Sequence, residues 1–321
     1  MAMKRALVYG WYGHGNVGDE LMKAGIAELL KRAECSATFT DVLVEKDVVC
    51  ADIVIIGGGC VLDRVPKTDN VATGLLASGS VPVAFISVGL ETEVCDFFAA
   101  LLRIAMCVIV RSPSRLEWVR ELNAGAELAP DIAYSVLNAT RPHSNERRGV
   151  LFLPNVEVMP RRDSAHWVHL AWDVFRSECS QFLDELIIQG NSVTFATMCR
   201  NDAMDDAWTA VGIASMMKAR SLRLATSVPY ASIDVHDYDF VITQRYHGIV
   251  VAETACIPYI SIDHHNKLAH AWPHRGCHIS YYGTNKHDML SAFAFSYGVP
   301  LSQDALDMSP YEKFSEALRS A

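Results

Sequence analysis

Short apolar runs alternate with helical stretches along the whole chain, and this alternation constrains the fold more than any other feature of the sequence. The pattern is typical of parallel sheets wrapped by helices. In the first half, the apolar runs predicted to be strands are Leu7–Tyr9, Thr38–Leu43, Ile53–Ile56, Pro82–Ile86 and Val108–Val110. In the second half they are Val150–Leu153, Val193–Ala196, Leu222–Ala225, Phe240–Thr243 and Tyr259–Ile262. The sequence therefore predicts two α/β sheets.

A polar stretch separates the two halves. Residues 138–148 hold proline, small polar residues and charges, which is the composition of a linker. A length of 321 residues is enough for two domains. We predict one Rossmann-like domain at residues 1–142 and a second at residues 149–321, whose last helix is free to pack back on the first domain. Two such sheets facing each other leave a cleft at the strand ends, where doubly wound folds bind their ligands.

Four helices can be predicted at the level of residues. The first begins near Asp19, and a capping box of Ser114 and Glu117 opens another. A long helix is predicted at about Ala165–Ile188 and the last one at Tyr311–Arg319.

Charge and cysteine content exclude several classes of protein. A net charge of −9 provides no basic field for nucleic acid, although a few arginines can still line a positive pocket. No apolar run is long enough to span a bilayer, so we expect no transmembrane segment, while peripheral membrane contact stays possible. Nine cysteines without a CxxC pair are best explained as buried free thiols in a reducing compartment, which indicates a cytoplasmic protein.

A glycine-rich loop follows the first predicted strand and leads into the first helix. Its sequence is Gly13-His-Gly15-Asn16-Val-Gly18-Asp19-Glu20. Glycines let backbone N–H groups approach a ligand, but the carboxylates of this loop lie where a pyrophosphate would bind. We interpret it as a loop for sugar hydroxyls or a nucleotide-linked acceptor. The alternative is a structural turn in which Asp19 caps the helix.

Two further strand ends carry candidate residues. Gly57-Gly58-Gly59 follows the third predicted strand, where glycines permit either close backbone approach to a ligand or a tight turn. Arg111 follows the fifth strand, with Asp131 further along the chain. We expect Arg111 to point toward the cleft, because a guanidinium fork suits a carboxylate or phosphate. A surface ion pair is the alternative.

The most informative segment lies between a buried strand and a helix of the second half. Arg245 and His247 are predicted to occupy this turn, where both side chains can reach one ligand. Together they combine a permanent cation with an acid/base that titrates near neutral pH. A histidine satisfied by hydrogen bonds at a helix start is the structural alternative. Lys267, after the next strand, adds a second positive group or is a solvated lysine.

We expect no metal and no organic cofactor. Five histidines lie close together in the sequence: His264, His265, His270, His274 and His278. Pro273 and Gly276 interrupt them, and no cysteine or carboxylate spacing resembles a closed metal site, so we interpret them as loop residues. Asp202, Asp205 and Asp206 are interpreted as opening a helix and complementing its dipole.

An ordered set of short strings runs through these segments: Gly13-x-Gly15-Asn16-x-Gly18-Asp19-Glu20, Gly57-Gly58-Gly59, Arg111 with Ser114, Pro130-Asp131, Val193–Met198, Asp205-Asp206, Arg245-x-His247, Ile257-Pro258 and Lys267. In this order they resemble the polysaccharide pyruvyl transferase family. The resemblance covers the chain from about Leu7 to Lys267.

The resemblance implies a fold similar to that of the two-Rossmann glycosyltransferases of the B type. It implies an enzyme that moves pyruvate from phosphoenolpyruvate onto sugar hydroxyls of a lipid- or nucleotide-linked polysaccharide precursor, as a ketal. His247 would be the catalytic acid/base, with Arg245 beside it, and Arg245, Arg111 and Lys267 would bind the donor. The second domain would be the donor side, and the first domain would bind the acceptor through Gly13, Gly15, Asn16, Asp19, Gly58 and Gly59.

Two other functions stay open on the sequence. A nucleotide-sugar-dependent glycosyltransferase of the same fold would need a set of residues that bind base and ribose in the second domain, and the sequence does not reveal one. A non-catalytic sugar-binding protein is the other alternative, and the presence of Arg245 and His247 argues against it.

Overall fold

The computed structural model describes residues 3–63, 65–90, 93–137, 149–201, 204–219, 234–264, 268–271, 275–297 and 306–320. The chain divides into two compact units. Unit 1 comprises Met1–His14, Gly18–Val136 and Ala305–Ala321, and unit 2 comprises Gly15–Val17 and Leu137–Asp304. The linker predicted at residues 138–148 lies outside the described residues.

Unit 1 is built on a parallel sheet. Its six strands are β1 (Lys4–Tyr9), β2 (Cys35–Thr40), β3 (Ile53–Gly59), β4 (Val83–Val88), β5 (Cys107–Val110) and β6 (Glu127–Leu128). Their order across the sheet is β2-β1-β3-β4-β5-β6, and every neighbouring pair is parallel. Strands β3 and β4 are buried along their whole length, as expected for a sheet that is covered on both faces.

Unit 2 is built on a second parallel sheet. Its strands are β7 (Val150–Leu153), β8 (Val193–Phe195), β9 (Phe240–Thr243), β10 (Tyr259–Asp263) and β11 (Cys277–Ser280). They lie in the order β11-β10-β9-β7-β8, with parallel pairing throughout. Its core is an apolar cluster in which Phe152, Phe195 and Phe240 of the sheet pack with Phe175 and Phe182 of the long helix that follows β7.

The described residues form ten α-helices: α1 (Val17–Arg32), α2 (Glu45–Val49), α3 (Asn70–Ala77), α4 (Asp96–Ile104), α5 (Leu116–Leu122), α6 (His166–Ile188), α7 (Ala207–Ala214), α8 (Tyr246–Thr254), α9 (Lys286–Tyr297) and α10 (Ser309–Ser320). Helix α10 belongs to unit 1. There the Tyr311 hydroxyl donates a hydrogen bond of 2.8 Å to the Pro130 carbonyl. Lys4 donates one of 2.6 Å to the Leu318 carbonyl.

Both sheets share one topology, and this topology locates their ligand-binding edges. In unit 1 the chain leaves β1 to form β2 on one side and then β3 on the other. In unit 2 it leaves β7 to form β8 on one side and β9 on the other. Ligands of doubly wound sheets bind at the carboxyl ends of the two strands at which the order reverses. The candidate edges are therefore those of β1 with β3 and of β7 with β9.

Most strand predictions are confirmed. The predicted runs Leu7–Tyr9, Val108–Val110 and Val150–Leu153 lie within or coincide with observed strands, and Phe240–Thr243 is matched residue for residue. The predicted run Leu222–Ala225 lies outside the described residues.

Three local predictions are wrong. Ser114 and Glu117 do not form a capping box, because α5 follows Arg115, whose φ is 55° and whose side chain makes no capping bond. The third predicted strand ends too early, at Ile56, since Gly57–Gly59 are the last three residues of β3. His278, predicted in a loop, lies in β11, where partly buried and exposed residues alternate and none is fully buried.

The cysteines agree with the compositional expectation only in part. All nine lie among the described residues and are free, but only Cys35, Cys179 and Cys199 are buried, and Cys50 is exposed. Burial raises the pKa of the Cys107 thiol to about 12, which keeps it protonated and unreactive at neutral pH. Within the described ranges, none of the helices combines the length and apolar character needed to cross a membrane.

Two helix glycines of unit 1 give a matched test of its packing. A Cβ atom at Gly25 of α1 would lie 2.6 Å from the Ile132 carbonyl oxygen, whereas one at Gly74 of α3 would meet nothing within 4 Å. We expect Gly25→Ala to lower the free energy of unfolding by about 1–3 kcal/mol through overpacking. Gly74→Ala should raise it by about 0.5–1 kcal/mol, because alanine favours a helix. Urea unfolding measures both, and equal effects would contradict the close approach of α1.

Candidate functional site

A buried carboxylate holds together the carboxyl edge of the unit 2 sheet. Asp206 is fully buried, and its Oδ1 accepts a hydrogen bond of 3.0 Å from the Val156 backbone, in the loop after β7. Its Oδ2 accepts bonds of 3.1 and 2.8 Å from the backbone N–H groups of Met198 and Cys199, after β8. One side chain thus fixes the loops that follow two neighbouring strands.

The same carboxylate pairs with Arg245, after β9. Arg245 Nε donates to Asp206 Oδ2 at 3.2 Å, and Arg245 Nη2 donates to Asp206 Oδ1. The Arg245 side chain is only 12% exposed. Burial alone lowers the pKa of Arg245, but the charge and hydrogen bonds of Asp206 outweigh burial and raise it. Arg245 is therefore a permanently charged group whose charge is balanced internally, and not the open anion clamp that the sequence suggested.

The turn that carries His247 is held by the side chain of Thr243. Thr243 Oγ1 accepts a bond of 2.9 Å from the Arg245 N–H and donates one of 2.9 Å to the Arg245 carbonyl. Gly248 packs so closely on Thr243 that a Cβ atom there would overlap the threonine hydroxyl. His247 lies in the first turn of α8, half-buried, and Arg245 is the N-cap residue without a side-chain capping bond. The predicted strand-to-helix turn is confirmed, and the catalytic role of His247 stays a prediction.

A buried amide lies at the same edge. Gln244 is 1% exposed, and its Oε1 accepts a bond of 3.1 Å from the Asn155 backbone, after β7. Asn155 Nδ2 donates in return to the Gln244 carbonyl at 3.3 Å. Gln244 Nε2 has no hydrogen-bond partner among the described residues. This pair closes β7 onto β9 at the point where the strand order reverses.

The other two donor-binding candidates lie elsewhere. Lys267 falls outside the described residues. Arg111, in unit 1, is 1% exposed and forms an ion pair of 2.8 Å with the fully buried Asp131. Asp131 also accepts a bond of 2.9 Å from the Ala133 backbone. The Arg111 side chain is therefore buried against Asp131 and does not point openly toward a ligand as expected. The role of Arg111 in binding a donor stays a prediction.

The acceptor candidates of unit 1 surround the carboxyl ends of β1 and β3. The Tyr12 hydroxyl donates a bond of 2.8 Å to the Gly57 carbonyl, and Gly58 and Gly59 adopt φ values of 77° and 82°. A Cβ atom at Gly59 would lie 3.2 Å from Asp19 Oδ1, so only glycine lets this carboxylate approach the strand end. Burial, together with the charge of Asp19, raises the pKa of Tyr12 well above its usual value.

The structure divides the glycine-rich loop. The Gly13 N–H donates a bond of 2.6 Å to Glu20 Oε1, and Gly13 belongs to unit 1. Gly15 and Asn16 belong to unit 2, where the Gly15 carbonyl accepts a bond of 3.0 Å from the Arg200 backbone. Asn16 forms an antiparallel bridge with Cys199. Gly15 and Asn16 are therefore neighbours of the loop after β8, which Asp206 also holds.

Sequence reasoning missed the role of Asp206. It does open a helix as predicted, since it is the N-cap residue of α7, but its carboxylate makes no capping bond and accepts from the loops and Arg245 instead. Asp205 does make the local bond, to the Ala207 backbone at 2.9 Å. Nothing in the sequence distinguishes Asp205 from Asp206, so the sequence could not show which of the two side chains points into the protein. Asp202 lies outside the described residues.

No metal centre is evident in the part of the chain that the structure describes. Within those ranges, no three side chains of histidine, cysteine, aspartate or glutamate are placed to hold an ion together.

Comparison with known proteins defines the class of fold. No protein-family model matches the sequence, and no curated protein matches it at a significant level. Solved structures do match. MurG of Acinetobacter baumannii has a TM-score of 0.57 at 10% identity, covering 99% of this chain and 100% of that one.

Two epimerase structures are similar to the same extent. A putative UDP-N-acetylglucosamine 2-epimerase of Listeria monocytogenes has a TM-score of 0.58 at 13% identity, covering 99% of this chain and 96% of that one. The UDP-GlcNAc 2-epimerase of Methanocaldococcus jannaschii has a TM-score of 0.59 at 10% identity, covering 99% and 100%. The chain thus has two Rossmann-like α/β domains of the glycosyltransferase B type, as predicted. At such identities the likeness defines the fold alone.

The two adjacent aspartates allow a matched test of the buried pair. Asp206→Asn removes the charge that balances Arg245, and we expect it to cost about 3–5 kcal/mol of unfolding free energy, since one buried charge is left uncompensated. Asp205→Asn keeps an oxygen for the Ala207 N–H and loses only an exposed pair with Arg200 at 3.9 Å. It should cost less than about 1 kcal/mol. Similar losses in the two variants would show that Asp206 does not anchor this edge.

Proposed function

We propose that the protein is a sugar-modifying enzyme that binds a phosphorylated donor at the edge of the unit 2 sheet, against the first turn of α8. The observation that carries this proposal is the set of hydrogen bonds that the Asp206 carboxylate accepts. These bonds bring the loops after β7, β8 and β9 together at the point where the strand order reverses. Doubly wound sheets bind ligands at this position.

The chemistry of the edge favours an anionic phosphate. The N-terminus of a helix presents backbone N–H groups and the positive end of the helix dipole. Helix α8 begins directly at the turn, with Arg245 as its N-cap residue. The guanidinium has five N–H donors, and Asp206 fixes its plane through two of them. The Gln244 amide adds a further donor at the same edge.

The fold comparisons support a sugar nucleotide as the donor. Two of the similar structures are named UDP-GlcNAc 2-epimerases, and both match this chain over almost its whole length. In a glycosyl transfer from a sugar nucleotide, an acceptor hydroxyl attacks the anomeric carbon of the sugar, and the bond from that carbon to the diphosphate oxygen breaks. The departing diphosphate gains charge, which the backbone N–H groups at the α8 terminus stabilise. His247 supplies a proton or a hydrogen bond to the leaving oxygen.

Pyruvyl transfer from phosphoenolpyruvate is the second candidate, and one specific observation favours it. Two strings that carry the resemblance to the pyruvyl transferases, Asp205-Asp206 and Arg245-x-His247, are about 40 residues apart in sequence and meet in one ion pair. In this reaction the donor's methylene carbon gains a proton and a sugar hydroxyl adds to the adjacent carbon. A second hydroxyl then displaces inorganic phosphate from that carbon and closes a ketal. In this proposal His247 moves the proton.

A binding experiment separates the two donors. Isothermal titration with UDP-GlcNAc, phosphoenolpyruvate and inorganic phosphate should show one organic donor binding at least about tenfold more tightly than phosphate, a difference of about 1.4 kcal/mol. The Asp206→Asn variant should lose this preference, because Arg245 is no longer held in place. Preference for UDP-GlcNAc supports sugar transfer, and preference for phosphoenolpyruvate supports pyruvyl transfer. Binding of neither beyond the phosphate level contradicts both.

Substitution of His247 tests the chemical step. With the preferred donor and a panel of saccharide acceptors, we expect His247→Ala to lower turnover by about 10²–10⁴-fold, the usual contribution of a general acid/base. His287→Ala, at an exposed position at the start of α9, is the control and should leave turnover unchanged. Both proteins should melt at the temperature of the wild type. Normal turnover in His247→Ala would remove this residue from the mechanism.

A further inference from the structure

The N-terminal half of α6 is apolar on two opposite faces. Its inner face packs into the core of unit 2 through Trp172 and Phe175. Its outer face carries Trp167, Leu170 and Val174, which are 60%, 52% and 56% exposed. Helices that are apolar all round are ordinarily covered on all sides. The outer face therefore has the composition of a contact surface while it is exposed in the free chain.

The exposed side chains form one continuous surface. Positions 167, 170 and 174 are spaced by three and four residues, so they lie in a single stripe along the helix. Tyr282, in the loop after β11, is 46% exposed, and its ring centroid lies 6.1 Å from that of Trp167. We call these four residues the α6 face. A groove of about 200 Å³ runs beside it, lined by Leu170, Ala171, Val174, Phe175, Tyr281, Tyr282, Gly283 and Thr284.

The charges around the α6 face differ in sign from those of the whole chain. With histidines counted as neutral, the chain carries a net charge of −9, whereas residues 161–176 contain three arginines against two aspartates and so carry a charge of +1. One of the aspartates, Asp173, is paired with Arg176 at 2.8 Å. Arg161 and Arg162 are exposed in the turn that leads directly into the first turn of α6. An apolar stripe with aromatic side chains thus lies next to a locally basic turn.

We propose that the α6 face docks the protein on the surface of a membrane that contains anionic lipids. Tryptophan and tyrosine favour the boundary between acyl chains and headgroups, because each combines a large apolar ring with a polar N–H or O–H group. Leucine and valine add apolar area that the acyl region removes from water. Arginines beside them attract anionic headgroups within a Debye length.

Self-association through the same face is the less favourable explanation. A two-fold dimer buries the same patch of both copies. Stable protein interfaces bury about 800 Å² on each partner, which four side chains and a shallow groove do not supply. A lipid surface needs no such area, since it adapts to the shape of the protein. This proposal does not depend on which donor the enzyme uses.

Flotation of the full chain with lipid vesicles tests the proposal. We expect the wild type to bind vesicles of phosphatidylcholine mixed with phosphatidylglycerol, and to bind pure phosphatidylcholine more weakly. The double variant Trp167→Ser, Leu170→Ser should lower the partition coefficient for the mixed vesicles by about tenfold or more, as removal of two large apolar side chains implies. Added salt should weaken binding of the wild type to the mixed vesicles, because the arginine contribution is screened.

Helix α7 offers a matched control with the same residue spacing. Trp208 and Val211 are 53% and 54% exposed. The double variant Trp208→Ser, Val211→Ser should change the partition coefficient by less than about twofold, because surface substitutions usually have small effects. Circular dichroism should show both double variants folded. Absence of vesicle binding by the wild type, or equal losses in the two variants, would overturn the proposal. So would a dimer, detected by sedimentation, that only the Trp167 and Leu170 substitutions dissociate.

Discussion

The ion pair of Asp206 and Arg245 is the interaction on which the rest of the candidate site depends. A buried carboxylate without partners is strongly unfavourable, and this one accepts hydrogen bonds from three backbone N–H groups as well as from the guanidinium. Because those donors lie on the loops after β7 and β8, and Arg245 lies after β9, the pair sets the relative positions of three loops. The first turn of α8, with His247, follows directly from the position of Arg245.

Unit 1 uses the same physical arrangement with different residues. Arg111 follows β5 and is held by Asp131, which is fully buried and accepts a further backbone hydrogen bond. In both units an arginine at a strand end is balanced by an aspartate from a later or earlier loop. Such pairs contribute little net stability compared with apolar packing, because both charges lose their hydration. What they do provide is a fixed geometry, since removing either partner leaves a buried charge.

The sequence predicted the fold well, because a strand that is buried on both faces of a parallel sheet has a nearly continuous apolar sequence, such as Phe240–Thr243. It also placed Arg245 and His247 correctly in a turn at the carboxyl edge. It did not predict where the arginine side chains point, because the partner that decides this is distant in sequence: Asp206 lies 39 residues from Arg245, and Asp131 lies 20 from Arg111. The capping box at Ser114 failed for a local reason, since the N-cap position is Arg115, whose φ is positive, and α5 begins one residue later than a Ser114 cap would place it.

A crystal structure with bound donor tests the central claim most directly. Crystals soaked with the donor that binds more tightly, UDP-GlcNAc or phosphoenolpyruvate, should show a phosphate oxygen within hydrogen-bond distance of the backbone N–H groups in the first turn of α8. The Asp206–Arg245 pair should be intact beside it. A phosphate bound away from the carboxyl ends of β7 and β9, with α8 uncontacted, would contradict the account.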